Sequence, residues 1–208
     1  MRHRVPFHRV LTMLVLLAAG LLGLPSLAAA QTASEAKAVR ATVPGASVLG
    51  ITLPDTTTVL AGTGTLPRGT TGALQASSLA GSVPSLLTGD TLHATTLGLP
   101  DQAASEASLG SLGVSVAGNT ISADFLMARA LAVTGSGGSG DSEIDGLSIN
   151  GVMVPVSGAP NQVLPIVGGR VILNEQQTGA GGAVVNALHV IITGVADVVI
   201  ASASAVTP

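Results

Sequence analysis

Alternating apolar and polar positions run through this chain from Val43 onward, and short clusters of Gly, Pro, Asn and Asp interrupt them roughly every 8 to 15 residues. Apolar positions two apart are typical of strands with one buried face, and the intervening segments are rich in β-branched residues. Turn residues at this spacing favour an all-β domain. We therefore predict one domain over residues 43–208, either an antiparallel β-sandwich or a partly closed barrel.

The clearest hairpin signal is LSINGVMVPV at residues 147–156. Asn150 and Gly151 both tolerate the positive φ that a two-residue type I′ turn requires. Pro155 cannot donate to a strand ladder, which places its arm near an edge or a bulge. Two more hairpins are predicted, around Gly118-Asn119 and around Gly168-Gly169. Further strands are predicted at 46–53, 57–61, 72–80 and 91–97.

The segment after Gly118-Asn119 permits two interpretations. A period of two predicts a strand with one apolar face, formed by Ile121, Ala123, Phe125, Met127, Leu131 and Val133. The stretch ADFLMARALA also contains good helix formers, so a helix remains an alternative. The following GSGGSG, residues 135–140, has the composition of a flexible loop.

Residues 186–205, NALHVIITGVADVVIASASA, are apolar enough to suggest a membrane tail. Asp197 near the middle of a spanning helix would cost about 2.5–3.5 kcal/mol, whereas each Leu, Ile or Val gains only about 0.3–0.6. Two β-branched arms joined at residues 193–196 explain the pattern better, with Leu188, Val190 and Ile192 on one face and His189 on the other. We predict a terminal hairpin and no membrane anchoring by this segment.

The first thirty residues have the features of a secretory signal peptide. Three arginines precede the apolar run at 11–24, and Ala28 and Ala30 stand at the small-residue positions of a cleavage site. Cleavage after Ala30 would make Gln31 the new N-terminus. We expect a signal-peptide helix at 1–30, a flexible or weakly helical lead-in at 31–42, and a secreted, extracellular protein.

Removal of the signal would leave five basic residues against eleven acidic ones, a net charge of −6. An acidic surface repels nucleic-acid phosphates and anionic lipid, so neither nucleic acid nor membrane insertion after cleavage is expected. The remaining chain has no Trp or Tyr and only one Phe, so it lacks the aromatic faces on which sugars or bases stack. A cell-envelope or extracellular protein remains a possible partner.

Candidate catalytic chemistry rests on His93 and His189. No G-x-S-x-G nucleophile elbow accompanies them, and His189 alternates with apolar residues, which is typical of a structural histidine. GSGGSG matches a dinucleotide fingerprint, but Asp141 and Glu143 follow it and would repel a phosphate. We predict no enzyme, no catalytic residue and no cofactor, with a hydrolase using His93 or His189 as the alternative.

Alternating acids in D-S-E-I-D-G, with Asp141, Glu143 and Asp145 before Gly146, resemble the start of a calcium loop. The twelfth position of that loop should be Glu and is Val152. A solvated acidic turn is therefore the prediction, with no metal ligand assigned. A calcium-stabilised adhesion module stays open as an alternative.

The segments SEIDGLSINGVMVPVSGAPNQVLPIVGGRVILNEQQ and VVNALHVIITGVADVVIASASA resemble the choice-of-anchor P family of bacterial exported proteins. The shared elements are an LNEQ-like strand end at 173–176 and an NALHV-like closing strand at 186–190. The resemblance covers residues 43–205 and implies an exported Gly/Thr/Val-rich β domain with no assigned biochemical activity.

Members of that family carry varied surface-sorting signals at the C-terminus. This chain ends in Val206-Thr207-Pro208, without an LPxTG-type motif, a hydrophobic tail or basic residues. We therefore expect release or non-covalent retention, and a non-enzymatic role through structure or interaction.

Overall fold

A computed structural model describes residues 32–48 and 51–208, and all of the regular secondary structure in this part of the chain is β-strand. The predicted signal-peptide helix at 1–30 lies outside the described residues. The strands are β1 (Ala33–Val43), β2 (Ser47–Val48), β3 (Ile51–Thr52), β4 (Thr56–Gly62), β5 (Leu66–Pro67), β6 (Gly72–Val83), β7 (Leu87–Gly98), β8 (Gln102–Val116), β9 (Asn119–Val133), β10 (Gly137–Asp145), β11 (Ser148–Ile149), β12 (Val152–Met153), β13 (Gln162–Ile166), β14 (Gly169–Gly179), β15 (Gly182–Ile192) and β16 (Ala196–Val206).

The strands form two seven-stranded antiparallel sheets and one small hairpin, β2–β3. Sheet I has the order β13-β14-β15-β16-β1-β4, and β5 pairs with the start of β1. Sheet II has the order β12-β11-β9-β8-β7-β6. In sheet II, β10 and β11 share one edge of β9, with β10 along its second half. The all-β prediction is confirmed.

The two sheets pack face to face. The structure is therefore a sandwich, which is one of the two predicted architectures. β16 lies over β8 and β9, β1 lies over β7 and β8, and β15 lies over β9 and β10. Each buried Leu, Ile or Val stabilises the fold by about 1.5–3 kcal/mol relative to exposure. The largest fully buried side chains are Leu92, Leu109, Ile121, Leu126, Leu147, Leu173, Leu188, Ile200, Val39, Val171, Val185 and Val190.

The first strand of the sandwich differs from the flexible lead-in expected at 31–42. β1 pairs with β16 on one side and β4 on the other, so it is an interior strand of sheet I. Its inward side chains include Ala36 and Ala38, both fully buried. Alanine contributes little to a hydrophobic pattern, so the sequence alone does not indicate that these side chains are buried. Their burial depends on strands that lie far away in the sequence.

A row of irregular positions crosses sheet I and reverses the inward–outward alternation of its strands. Asn174, Ala201 and Ala61 have φ of 50°, 51° and 45°, in the left-handed region, and they lie on alternate strands of the sheet. The strands between them contribute Ala187 and Ala38 to the same row, where the pairing skips one residue. In β16, Val198 and Ile200 therefore belong to the core before the row, and Ala203 and Ala205 after it.

The same kind of reversal changes the face predicted for β9. Ile121 and Ala123 belong to the core, but beyond Asp124 the core residues are Leu126, Ala128, Ala130 and Ala132. The single apolar face predicted from Ile121 to Val133 is therefore wrong after Ala123, and Leu131 is 38% exposed. The helix alternative for this segment is wrong, because all of it forms β9.

Local turn signals predict the hairpins well. Asn150 and Gly151 have φ of 52° and 77° between β11 and β12, as a type I′ turn requires. The flexible loop predicted for 135–140 is wrong from Gly137 onward, because β10 begins there. The terminal hairpin is confirmed as β15–β16, two central strands of sheet I. In the described part of the chain, no helix is long and apolar enough to cross a bilayer.

The β8–β9 turn offers a test of turn chemistry. Ala117 has φ of 48° and is followed by Gly118 with φ of 78°, while the Ala117 side chain is exposed. Asparagine tolerates this left-handed backbone better than alanine, so Ala117→Asn should raise the free energy of unfolding by about 0.5–1 kcal/mol. Urea unfolding would measure the gain. Ala180→Asn, in an exposed turn without a left-handed φ, should give none.

Candidate functional site

The most distinctive polar group in the described residues is a row of side chains on the outer face of sheet I. His189 on β15 lies opposite Ile172 on β14 and Val199 on β16. Because the alternation reverses near Ala187, His189 points outward while Leu188 and Val190 face the core. Neighbouring side chains leave His189 only 9% exposed, so this outward-facing group is still largely shielded from water.

Carboxylates approach both ring nitrogens of His189. Nδ1 donates a hydrogen bond to Glu175 Oε2 at 2.9 Å, and Asn186 Nδ2 donates to the same oxygen at 2.7 Å. Nε2 lies 3.3 Å from Asp197 Oδ2 in an ion pair, although it has no well-directed hydrogen-bond partner. Arg40 Nη2 lies 3.5 Å from the other Asp197 oxygen. We call Glu175, Asn186, His189, Asp197 and Arg40 the His189 cluster.

The charges in the His189 cluster alternate along four adjacent strands. Burial alone would lower the pKa of His189, but Asp197 and Glu175 outweigh it and raise the pKa to about 9. Burial opposes ionisation of Glu175 as well, yet contacts with His189 and Asn186 hold its pKa below the usual range. The contact with His189 also lowers the pKa of Asp197. At neutral pH the cluster is therefore an imidazolium between two carboxylates.

This geometry favours a structural role over proton transfer. A general base must lose its proton near the operating pH, and a pKa of about 9 keeps His189 protonated there. A Ser–His–acid triad also needs a hydroxyl at one ring nitrogen and a carboxylate at the other. In His189 a carboxylate lies at each nitrogen, so no ring position remains for a nucleophile.

His93, the second candidate, lies far from this cluster. It is half-buried on β7 of sheet II, in register with Ser77 and Ser108 on the neighbouring strands. Glu143 is the carboxylate of the same row, three strands away or about 14 Å. Glu106, on the adjacent strand, accepts a hydrogen bond from Arg129 Nε at 2.7 Å. His93 lies on sheet II and His189 on sheet I, so the structure does not bring the two histidines together.

The acidic segment forms part of strand β10 and not the turn that the sequence predicts. Asp141, Glu143 and Asp145 are exposed and alternate along the strand, so successive carboxylates start about 7 Å apart. Calcium binds oxygens at about 2.3–2.6 Å and needs several that converge. Within residues 32–48 and 51–208, no three His, Asp or Glu side chains form a group that could hold a metal ion.

Two open grooves lie on the outer face of sheet II, and neither is lined by a histidine. One has a volume of about 700 Å³. It is bounded by the β6–β7 turn and is also lined by residues of β8 and β9 and by Ser148. Its hydroxyls include Ser122 and Ser148, which hydrogen-bond to each other at 2.9 Å. The other, of about 670 Å³, lies over Leu97, Ala104 and Leu131 beside Arg129. In the second groove Arg129 is paired with Glu106, and Asp141 on β10 is the remaining charged side chain of the lining.

The sequence singled out His189 but not the partners that define its state. Glu175 and Asn186 belong to the LNEQ and NALHV segments, so the sequence shows that each is a polar residue in a predicted strand. Their contact depends on the β14–β15 register and on the reversed alternation near Ala187, which have no local signal. Arg40 was missed because β1 was expected to be a flexible lead-in.

The fold and the His189 cluster define a two-sheet antiparallel β-sandwich with a charged row on one outer face. Comparison with family models, with curated proteins and with solved structures found no match to this chain.

Proposed function

We propose that this chain is an exported protein of the cell envelope or extracellular space, acting through structure or interaction and without an enzymatic activity. The observation that carries the non-enzymatic role is the placement of a carboxylate at each ring nitrogen of His189. His189 is held as an imidazolium between Glu175 and Asp197, where it stabilises a sheet face and has no place for a nucleophile.

Export is proposed from the leader at 1–30 and from the resemblance to the choice-of-anchor P family. A positive segment, an apolar run and a small-residue site stand in the order that a signal peptidase recognises. Membership of that family is part of the same proposal and explains why a β domain of small residues would be secreted.

The leader provides a direct test. Expression of the full chain in a bacterium with a general secretion pathway should yield a protein that begins at Gln31, because cleavage follows Ala30. Intact-mass measurement and N-terminal sequencing of the envelope and medium fractions would identify it. Ala30→Leu should block cleavage and retain the leader. A protein that keeps Met1 and stays in the cytosol would contradict export.

The hydrolase alternative is tested separately with the purified chain. A fluorophosphonate probe and a panel of activated esters should give neither labelling nor turnover. Labelling that disappears in His93→Gln or His189→Gln would overturn the non-enzymatic assignment and identify the general base.

A further inference from the structure

The exposed sheet edges of this sandwich differ in how they are protected against pairing with another strand. Natural proteins protect edges with charges, prolines, short strands or bulges. In sheet I, β13 carries Pro165 and β4 has seven residues with the left-handed Ala61 near its end. In sheet II, β12 has two residues, and β10 carries three acids.

Strand β6 has one irregularity, at Leu79, where its pairing with β7 skips a residue, and it lacks the other protections. Its twelve residues, GALQASSLAGSV, contain no charged residue and no proline, and none has a left-handed φ. It pairs with β7 on one side, and no strand of the described chain pairs with its other side. At about 3.3 Å per residue, this leaves an edge of roughly 40 Å with unpaired backbone groups. Leu79 in this strand is 89% exposed, the largest value among the exposed apolar residues.

The charge distribution favours a second copy of the chain at this edge. Asp141, Glu143 and Asp145 lie on β10, separated from β6 by three strands and about 19 Å. The nearest acid is Asp90 on β7, and two copies joined through β6 would place their Asp90 strands about 14 Å apart. Both distances exceed the Debye length of about 8 Å at physiological salt, so repulsion between the copies is weak.

We propose that β6 pairs antiparallel with β6 of a second copy, joining the two seven-stranded sheets II into one continuous sheet. Antiparallel pairing of a strand with its own copy has two-fold symmetry, so each copy presents the same surface. The β6 side chains that meet in this pairing are uncharged and mostly small, so no like charges come into contact. The exposed Leu79 side chain of each copy becomes partly buried against the other copy. This pairing does not depend on export or on the His189 cluster.

Sedimentation of the protein purified after expression of the full chain tests the pairing. The wild type should be a dimer, and Leu79→Lys should be a folded monomer, because a lysine on an edge strand opposes strand addition. The matched control is Met153→Lys, at a position 68% exposed on the opposite edge of sheet II, which should remain a dimer. Circular dichroism of each variant shows that the sheets are intact.

Cysteine crosslinking locates the interface, since the chain has no Cys of its own. Ser77 lies next to the midpoint of β6, so Ser77→Cys should be joined to its copy by a short bismaleimide, whereas Met153→Cys should not. A wild type that stays monomeric up to about 1 mM contradicts the proposal and leaves the edge for a strand of another protein. A dimer unaffected by Leu79→Lys and crosslinked through Met153→Cys also overturns it.

Discussion

Gly138→Ala is expected to destabilise the folded chain by about 3 kcal/mol, the upper part of the range for forced overpacking. Gly138 lies on β10, where the strand crosses the start of β15 in sheet I. A β-carbon there would lie 2.0 Å from the carbonyl carbon and oxygen of Gly182 and 2.6 Å from the nitrogen of Ala183. All three are backbone atoms of a paired strand, so the clash can be relieved only by moving the sheets apart.

Chemical unfolding monitored by circular dichroism would measure this loss, with Gly181→Ala as the matched control. A β-carbon at Gly181 meets nothing within 4 Å, and its φ is outside the left-handed region. The control should stay within about 0.5 kcal/mol of the wild type. Equal stability of the two variants would show that β10 does not pack against β15 as described.

Removal of the central cation of the His189 cluster should have an effect of similar size. His189→Leu leaves Glu175, whose side chain is 17% exposed, without its buried counterion and with Asn186 as its remaining hydrogen-bond donor. Breaking one partner of a buried ion pair costs about 3–5 kcal/mol. Since Asp197 is 41% exposed and can recover water, we expect about 3 kcal/mol. His93→Leu on sheet II serves as the control and should cost less than about 1 kcal/mol.

The pH dependence of stability separates the charge of His189 from its packing. The pKa of His189 is about 9 in the folded chain against 6.5 as its ordinary value, so the folded state holds the proton more tightly. Its contribution is therefore complete below pH 6.5 and is lost as the pH rises to about 9. A difference of this size corresponds to roughly 3 kcal/mol. Glu175 and Asp197 act oppositely, since their lowered pKa values contribute stability that disappears in acid.

Urea unfolding of the wild type and the two leucine variants between pH 5 and pH 9.5 would reveal this slope (on the order of 1 kcal/mol per pH unit). The wild type and His93→Leu should lose stability above pH 6.5, and His189→Leu should lose much less. A wild-type stability that is flat from pH 6.5 to 9 would mean that His189 is neutral in the folded chain. The catalytic alternative for His189 would then regain support.

Local chemistry predicted the elements whose geometry needs only two or three neighbouring residues. Asn150-Gly151 specifies its hairpin because both residues accept positive φ, and β15–β16 follows from two β-branched arms with a turn between them. The same reasoning failed for β9 after Ala123 and for Gly137–Gly140. A bulge that reverses side-chain alternation is selected by pairing with neighbouring strands, and a glycine-rich segment becomes a strand only where another sheet approaches closely.

The candidate site was predictable only as a single residue. The pattern around Leu188 and Val190 places His189 on the face opposite the core, as the structure shows. Its protonation state depends on Glu175, fourteen residues away, and on Asp197, eight residues away across a turn. These residues come into contact only when β14, β15 and β16 pair in the observed register.

By itself the sequence determined an all-β domain, its main hairpins and the terminal hairpin within residues 186–205, because turn propensity and alternation act over a few residues. Tertiary structure alone decided that β1 is an interior strand, that β10 packs on sheet I through glycine, and that His189 is held between two carboxylates. Each of these depends on contacts between segments distant in the chain. Their energy comes from close packing and from charges removed from water, which no local pattern encodes.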